Sequence, residues 1–140
     1  MITINELMTT ELCVLGRGDY LIDIQELMRK KNIRHVPIVD AGELLGIVSH
    51  RDLMSATPIS SEHQRKVYTE TMAVDIMRTG VETVTPTSNA RNAALLLERH
   101  KIGCLPVVDR NKLVGIVTSS DFIAVAVNLM EQLENLEGAA

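Results

Sequence analysis

Apolar residues recur at helical spacing in two stretches of this chain. Leu21, Ile24, Leu27 and Met28 lie three or four residues apart, or adjoin, as do Ala90, Ala93, Ala94 and Leu97. That spacing places side chains on one face of an α-helix. Asp19 and Ser88 stand just ahead of these stretches, where a helix N-cap belongs. Downstream of each comes a β-branched run, VPIVD (36–40) or LPVVD (105–109). A short turn follows, AGEL or RNKL, with Gly42 or Asn111 inside it, and then LLGIVS (44–49) or LVGIVT (113–118). Two such runs around a short turn predict a β-hairpin. Upstream, LCVL (12–15) and ETVTP (82–86) read as strands, and NELM (5–8) and VDIM (74–77) as short helical openings. Asp52 and Asp121 each open a further helix. The predicted unit is helix–β–α–β–β–α, written twice.

The two units share one register. Shifted by 69 positions, residues 33–54 fall on 102–123 without a gap, and nine of the 22 positions are identical. Met8 falls on Met77, Thr10 on Thr79 and Leu27 on Leu96. A unit of this size buries its apolar sheet poorly alone, so two copies packed face to face are expected. The polar stretch between them, with Pro58 and Ser60-Ser61, reads as a linker with one or two helical turns. The last helix, from about Asp121 to Leu136, carries Phe122, Val125, Leu129, Leu133 and Leu136 at helical spacing. Part of that stripe lies beyond the repeat. It suggests a partner surface, most simply a second copy of the chain.

Composition narrows the function. The chain has 140 residues, 46% hydrophobic and 23% charged, a soluble globular balance. Aromatics are 2%, so Val, Ile, Leu, Met and Ala must build the core. A net charge of −4 gives no basic face for nucleic acid or an anionic membrane. The start lacks the pattern of a signal peptide, and no apolar run is long enough to span a bilayer. Cys13 and Cys104 cannot form a disulfide framework. A cytoplasmic location is expected.

The repeated motif carries the candidate chemistry. GIVSHRD (46–52) and GIVTSSD (115–121) each place a hydroxyl, Ser49 or Thr118, three residues ahead of an Asp at a helix start. Free N–H groups at a helix start favour an anion. An ionised carboxylate accepts two hydroxyl donors, such as those of a ribose. Gly46 and Gly115 allow something to approach the backbone closely. These residues fit a nucleoside phosphate. Taken alone they fit a capping box better, although its last position is normally Glu or Gln. The two readings are compatible, and spacing does not choose between them.

In this order, twice, the residues resemble a CBS domain, and the pair resembles a Bateman module. The resemblance covers roughly residues 3–56 and 72–130. It implies an α/β fold, two CBS repeats packed face to face with pseudo-two-fold symmetry and a cleft on either side. The chain then divides into a first CBS domain (1–56), a linker (57–71), a second CBS domain (72–130), and a C-terminal helix extension and tail (131–140). The resemblance implies a stand-alone regulatory module, not an enzyme. It would bind AMP, ADP, ATP or S-adenosylmethionine in the cleft between the two domains, need no cofactor, and signal to an unidentified partner protein. Asp52 and Asp121 would hold the ribose; Ser49 and Thr118 would lie near phosphate. Ile33, His35 and Val36, and likewise Ile102, Cys104 and Leu105, would frame the adenine. Arg51 is a further phosphate candidate, with Ser120 at the matching position. The second copy fits the family better, having Thr83, Val84 and Pro86 where the first has Val14, Leu15 and Arg17. The alternative function is a ligand-free structural or dimerisation module.

Other residues carry less. His35, His50, His63 and His100 show no metal-ligand spacing. Ser61-Glu62-His63 sits in a polar linker, a poor scaffold for a triad. There is no GxxxxGK[ST] loop and no GxGxxG.

Overall fold

The structure, a computed structural model, describes residues 1–139. It forms two compact units. One comprises Glu11–Glu82 with Asp109–Leu113, and holds the first repeat's hairpin; the other comprises Met1–Thr10, Thr83–Val108 and the chain from Val114.

The first-repeat unit is built on a sheet in the order β1 (Leu15–Gly16), β2 (His35–Asp40), β3 (Glu43–Ser49). β1 runs parallel to β2, and β2 antiparallel to β3. The hairpin turns on Ala41 and Gly42, with φ 51° and 82°. Two left-handed residues give the turn whose twist matches the flanking strands. Helices α1 (Leu21–Lys31), α2 (His50–Ala56), α3 (Ser61–Glu70) and α4 (Ala73–Ile76) complete the unit. Leu21, Ile24 and Met28 pack with Val36, Ile38, Val48, Leu53, Tyr68 and Ala73 into one core.

The second-repeat unit has α5 (Ala90–His100), the hairpin β4 (Cys104–Asp109) and β5 (Lys112–Thr118) apart from its tip at Asp109–Leu113, and the long α6 (Ser119–Ala139). The turn at Arg110 and Asn111 repeats the left-handed pair, with φ 52° and 67°. Ile4, Val84, Ala90, Ala93, Leu97, Leu105, Val107 and Val117 form its core.

Several local expectations change. Of LCVL only Leu15 enters β1, and ETVTP yields only one parallel bridge, Val84 to Val107. The N-caps fall one residue later than expected. Asn89 caps α5, its Oδ1 accepting from the N–H groups of Arg91 and Asn92 at 2.8 and 3.2 Å. α1 starts after Tyr20, whose N–H donates to Asp23. Asp19 and Ser88 instead close preceding turns, accepting from the N–H groups of Gly16 and Thr85. The linker is more than one or two turns. α3 has ten residues, and Tyr68 on it is 4% exposed, its hydroxyl 2.7 Å from that of Thr57. The last helix runs beyond both expected ends.

The helical openings are exchanged between sequence repeats. Ile4, at the start of the first repeat, is fully buried in the core holding the second hairpin. Ala73, at the start of the second, is fully buried in the core holding the first. Two glycines permit this. A Cβ on Gly46 would stand 2.5 Å from the Arg78 carbonyl oxygen and 2.8 Å from Met77 Sδ. A Cβ on Gly115 would stand 2.7 Å from Met8 Sδ and 3.1 Å from the Thr9 carbonyl oxygen. What approaches each glycine is therefore the chain itself. Arg78 exchanges backbone hydrogen bonds with Ile47 at 3.0 and 2.8 Å, and Thr9 with Ile116 at 2.9 and 3.0 Å.

Gly46→Ala should destabilise the protein by about 1–3 kcal/mol, because its first obstacle is backbone fixed by a bridge. Gly115→Ala should cost less, because Met8 can change rotamer. Urea unfolding of both variants checks this order; equal losses would contradict it.

Candidate functional site

The repeated motif builds one local site in each unit. In the first-repeat unit, Ser49 ends β3 and caps α2. Asp52 Oδ2 accepts from the Ser49 N–H at 3.0 Å, and Ser49 Oγ accepts from the Asp52 N–H at 3.1 Å. The capping box is thus present, with Asp in the place of Glu. In the second-repeat unit, Asp121 Oδ2 accepts from the Thr118 N–H at 2.8 Å and from its hydroxyl at 3.4 Å. Capping occupies one carboxylate oxygen in each case and leaves the other.

The adenine candidates lie on the same end of each hairpin. His35 pairs with Ser49 across the β2–β3 ladder. The His50 N–H donates to the Arg34 carbonyl at 2.7 Å, and the matching Ser119 N–H donates to Gly103 at 3.2 Å. Burial lowers the His35 pKa against the opposing pull of Asp52, so the neutral imidazole is favoured. Burial, with the nearby Asp121 charge, pushes the Cys104 thiol up to about 12. Cys104 is therefore a neutral thiol, not an activated nucleophile. Val36 and Leu105 are fully buried, their side chains spent on the two cores, so only backbone is available there. Ile33 and Ile102 are half-buried. Arg51 is exposed.

A residue absent from the sequence-based candidates completes the first site. Arg78 Nε donates to Asp52 Oδ1 at 3.0 Å. The Arg78 side chain is 68% exposed and that of Asp52 11%. Its position 26 residues from Asp52, within a different repeat, left no local signal. Burial raises the Asp52 pKa, but hydrogen bonds from Ser49 and Arg78 and the Arg78 charge outweigh it and hold the group below 3.8. Among the described residues, no three His, Cys, Asp or Glu side chains gather as a metal site, and no helix is long and apolar enough to cross a membrane.

The CBS domain family matches residues 4–58 and 73–128, and the chain belongs to it. The protein YhcV of Bacillus subtilis, itself described as CBS domain-containing, is 28% identical over 130 residues, 93% of this chain and 87% of that protein. A homoserine O-acetyltransferase of Methanohalophilus mahii is 33% identical over 127 residues, but this chain spans only 24% of its length. Among solved structures, AcuB of Vibrio cholerae, named for acetoin utilization, is similar with a TM-score of 0.83 and 44% identity, covering 96% of this chain and 97% of that one. CBSX2, an Arabidopsis thaliana protein solved in complex with AMP, has a TM-score of 0.79 and 29% identity over 93% of this chain and 99% of its own. The CBS domain pair of protein MJ0100, solved with 5′-methylthioadenosine and S-adenosylmethionine, has a TM-score of 0.77 and 26% identity over 91% and 98%. The expected family and α/β class are those found.

Asp52 is depressed in the native state, so its contribution to stability is complete above its unfolded-state pKa and is lost as pH falls through the lower native value. The stability gap between wild type and Asp52→Asn should therefore be widest near neutral pH and shrink below 3.8. Carboxyl-carbon NMR titration should show the Asp52 pKa rising in Arg78→Gln; an unmoved pKa would mean the ion pair does not persist in solution.

Proposed function

We propose that this protein is a regulatory module that binds an adenosine ligand at its repeated Asp sites and signals to a partner protein. One observation carries the reading. In each repeat a carboxylate, held by one oxygen at a helix start, lies beside the residue pair that ends at the hairpin proline. CBSX2 with AMP and MJ0100 with S-adenosylmethionine show that adenosine ligands are bound in this family. The sites offer acceptors and apolar surface but no activated nucleophile, which favours binding over chemistry. A ligand can shift the module only by its differential affinity for two arrangements.

Thermal unfolding with AMP, ADP, ATP or S-adenosylmethionine tests this. A ligand at 100 times its Kd adds roughly 2.7 kcal/mol to the native state. That corresponds to a Tm rise of about 5 °C or more in a chain of this size. Asp121→Ala should abolish or reduce the rise. No rise with any of the four, in nucleotide-free protein, would favour the structural module instead.

One observation supports dimerisation alongside this reading. Ile123, Val127, Met130, Leu133 and Leu136 on α6 are 49–69% exposed. A second copy of the chain is the simplest cover for them. Leu133→Glu should shift sedimentation toward a monomer; an unchanged profile would remove α6 from the interface.

A further inference from the structure

We propose that Arg78 makes the first-repeat site selective for adenosine ligands that carry a phosphate, while the second-repeat site accepts adenosine ligands with or without one. The inference rests on the adenosine reading above. It starts from the oxygens of Asp52. Oδ2 is committed to the Ser49 N–H, and Oδ1 to Arg78 Nε at 3.0 Å. A ribose diol seeking the carboxylate therefore meets a guanidinium already in place. With Asp52 only 11% exposed and Arg78 68%, the carboxylate is the fixed member and the guanidinium the movable one.

Moving the guanidinium aside breaks a charge-assisted hydrogen bond unless the ligand offers another anion. A phosphate next to the ribose does so, in the forked geometry that arginine matches. An uncharged ligand such as 5′-methylthioadenosine offers nothing in exchange. S-Adenosylmethionine places a sulfonium cation beside its ribose, which the guanidinium repels, and holds its carboxylate farther out, at the end of the methionine chain next to an ammonium. Selectivity then comes from a penalty against the wrong ligands as much as from attraction to the right one.

The arrangement is built into the fold. Arg78 lies over Gly46, and its backbone is bridged in both directions to Ile47. In the other unit the matching residue is Thr9, bridged in the same way to Ile116 over Gly115. Threonine is short and uncharged. Among the described residues, Asp121 Oδ1 has no hydrogen-bond partner and no ion pair. The two sites therefore share a scaffold and differ at this position in one cation.

Isothermal titration with AMP and with 5′-methylthioadenosine, on the full chain, tests the proposal. Asp121→Ala isolates the first-repeat site, and unfolding curves confirm that each variant is folded. In Asp121→Ala, AMP should bind at least about tenfold more tightly than 5′-methylthioadenosine. Adding Arg78→Gln should bring the two affinities to within about threefold, by strengthening the uncharged ligand and weakening AMP. A preference that survives Arg78→Gln overturns the proposal while leaving adenosine binding intact. So does an Asp121→Ala protein that binds neither ligand with or without Arg78. Failure of the wild type to bind either ligand instead removes the adenosine reading itself, and this proposal with it.

Discussion

A backbone crossing at a glycine organises each unit. The second strand of each hairpin passes close to another backbone segment: a Cβ would stand 2.5 Å from the Arg78 carbonyl oxygen at Gly46 and 3.1 Å from the Thr9 carbonyl oxygen at Gly115. The crossing satisfies the outward N–H and C=O of Ile47 and Ile116, groups that an uncovered strand would leave to water or another chain. It also brings Ile4 and Ala73 into their cores, where both are fully buried. Because the crossing segment runs past the motif, it delivers Arg78 to one Asp and Thr9 to the corresponding place in the other unit. Packing and the surroundings of the two Asp residues thus share one constraint.

The same economy governs the Ser/Thr-x-x-Asp motif. Capping and ligand binding are compatible explanations of those residues. The geometry leaves room for both on one carboxylate. The cap uses Oδ2 of each Asp, which fixes the carboxylate's rotamer and direction. A carboxylate fixed in this way loses little freedom on accepting a further donor, the ordinary benefit of preorganisation.

The periodic features were legible in the sequence. The 69-residue shift, the two hairpins with their turns and the two amphipathic helices rest on local patterns that the structure follows. Asp19 and Ser88 misled by one residue because Asp and Ser bond to nearby turn N–H groups as readily as they cap helices. The strands at 12–15 and 82–86 have the right residues but find few ladder partners. Tyr68 sat in a polar context, with only Val67 beside it to hint at burial. The exchanged openings were hidden for a different reason. Two copies of one pattern offer each segment two similar cores, and local sequence does not say which core a segment joins. Arg78 was hidden with them, since its role depends on that choice.

Comparison of the two repeats separates what the scaffold needs from what the sites need. Pro37, Val39, Leu44, Gly46, Ile47 and Val48 all have identical counterparts 69 residues on, and all belong to the hairpin or its crossing. Around the carboxylates the pairs diverge: His35 against Cys104, Arg51 against Ser120, Arg78 against Thr9. In the first unit this position holds a half-buried imidazole with donor and acceptor nitrogens; in the second it holds a buried thiol pushed up to about 12, a weak donor at neutral pH. Two arginines and an imidazole in the first unit thus correspond to a serine, a threonine and a neutral thiol in the second. Charge also changes away from the Asp residues, at Ala41 against Arg110 and Glu43 against Lys112, so divergence alone does not mark a site. What sets the Arg78 pair apart is contact: its guanidinium bonds Asp52 Oδ1 at 3.0 Å, and Thr9 brings no cation to the matching place.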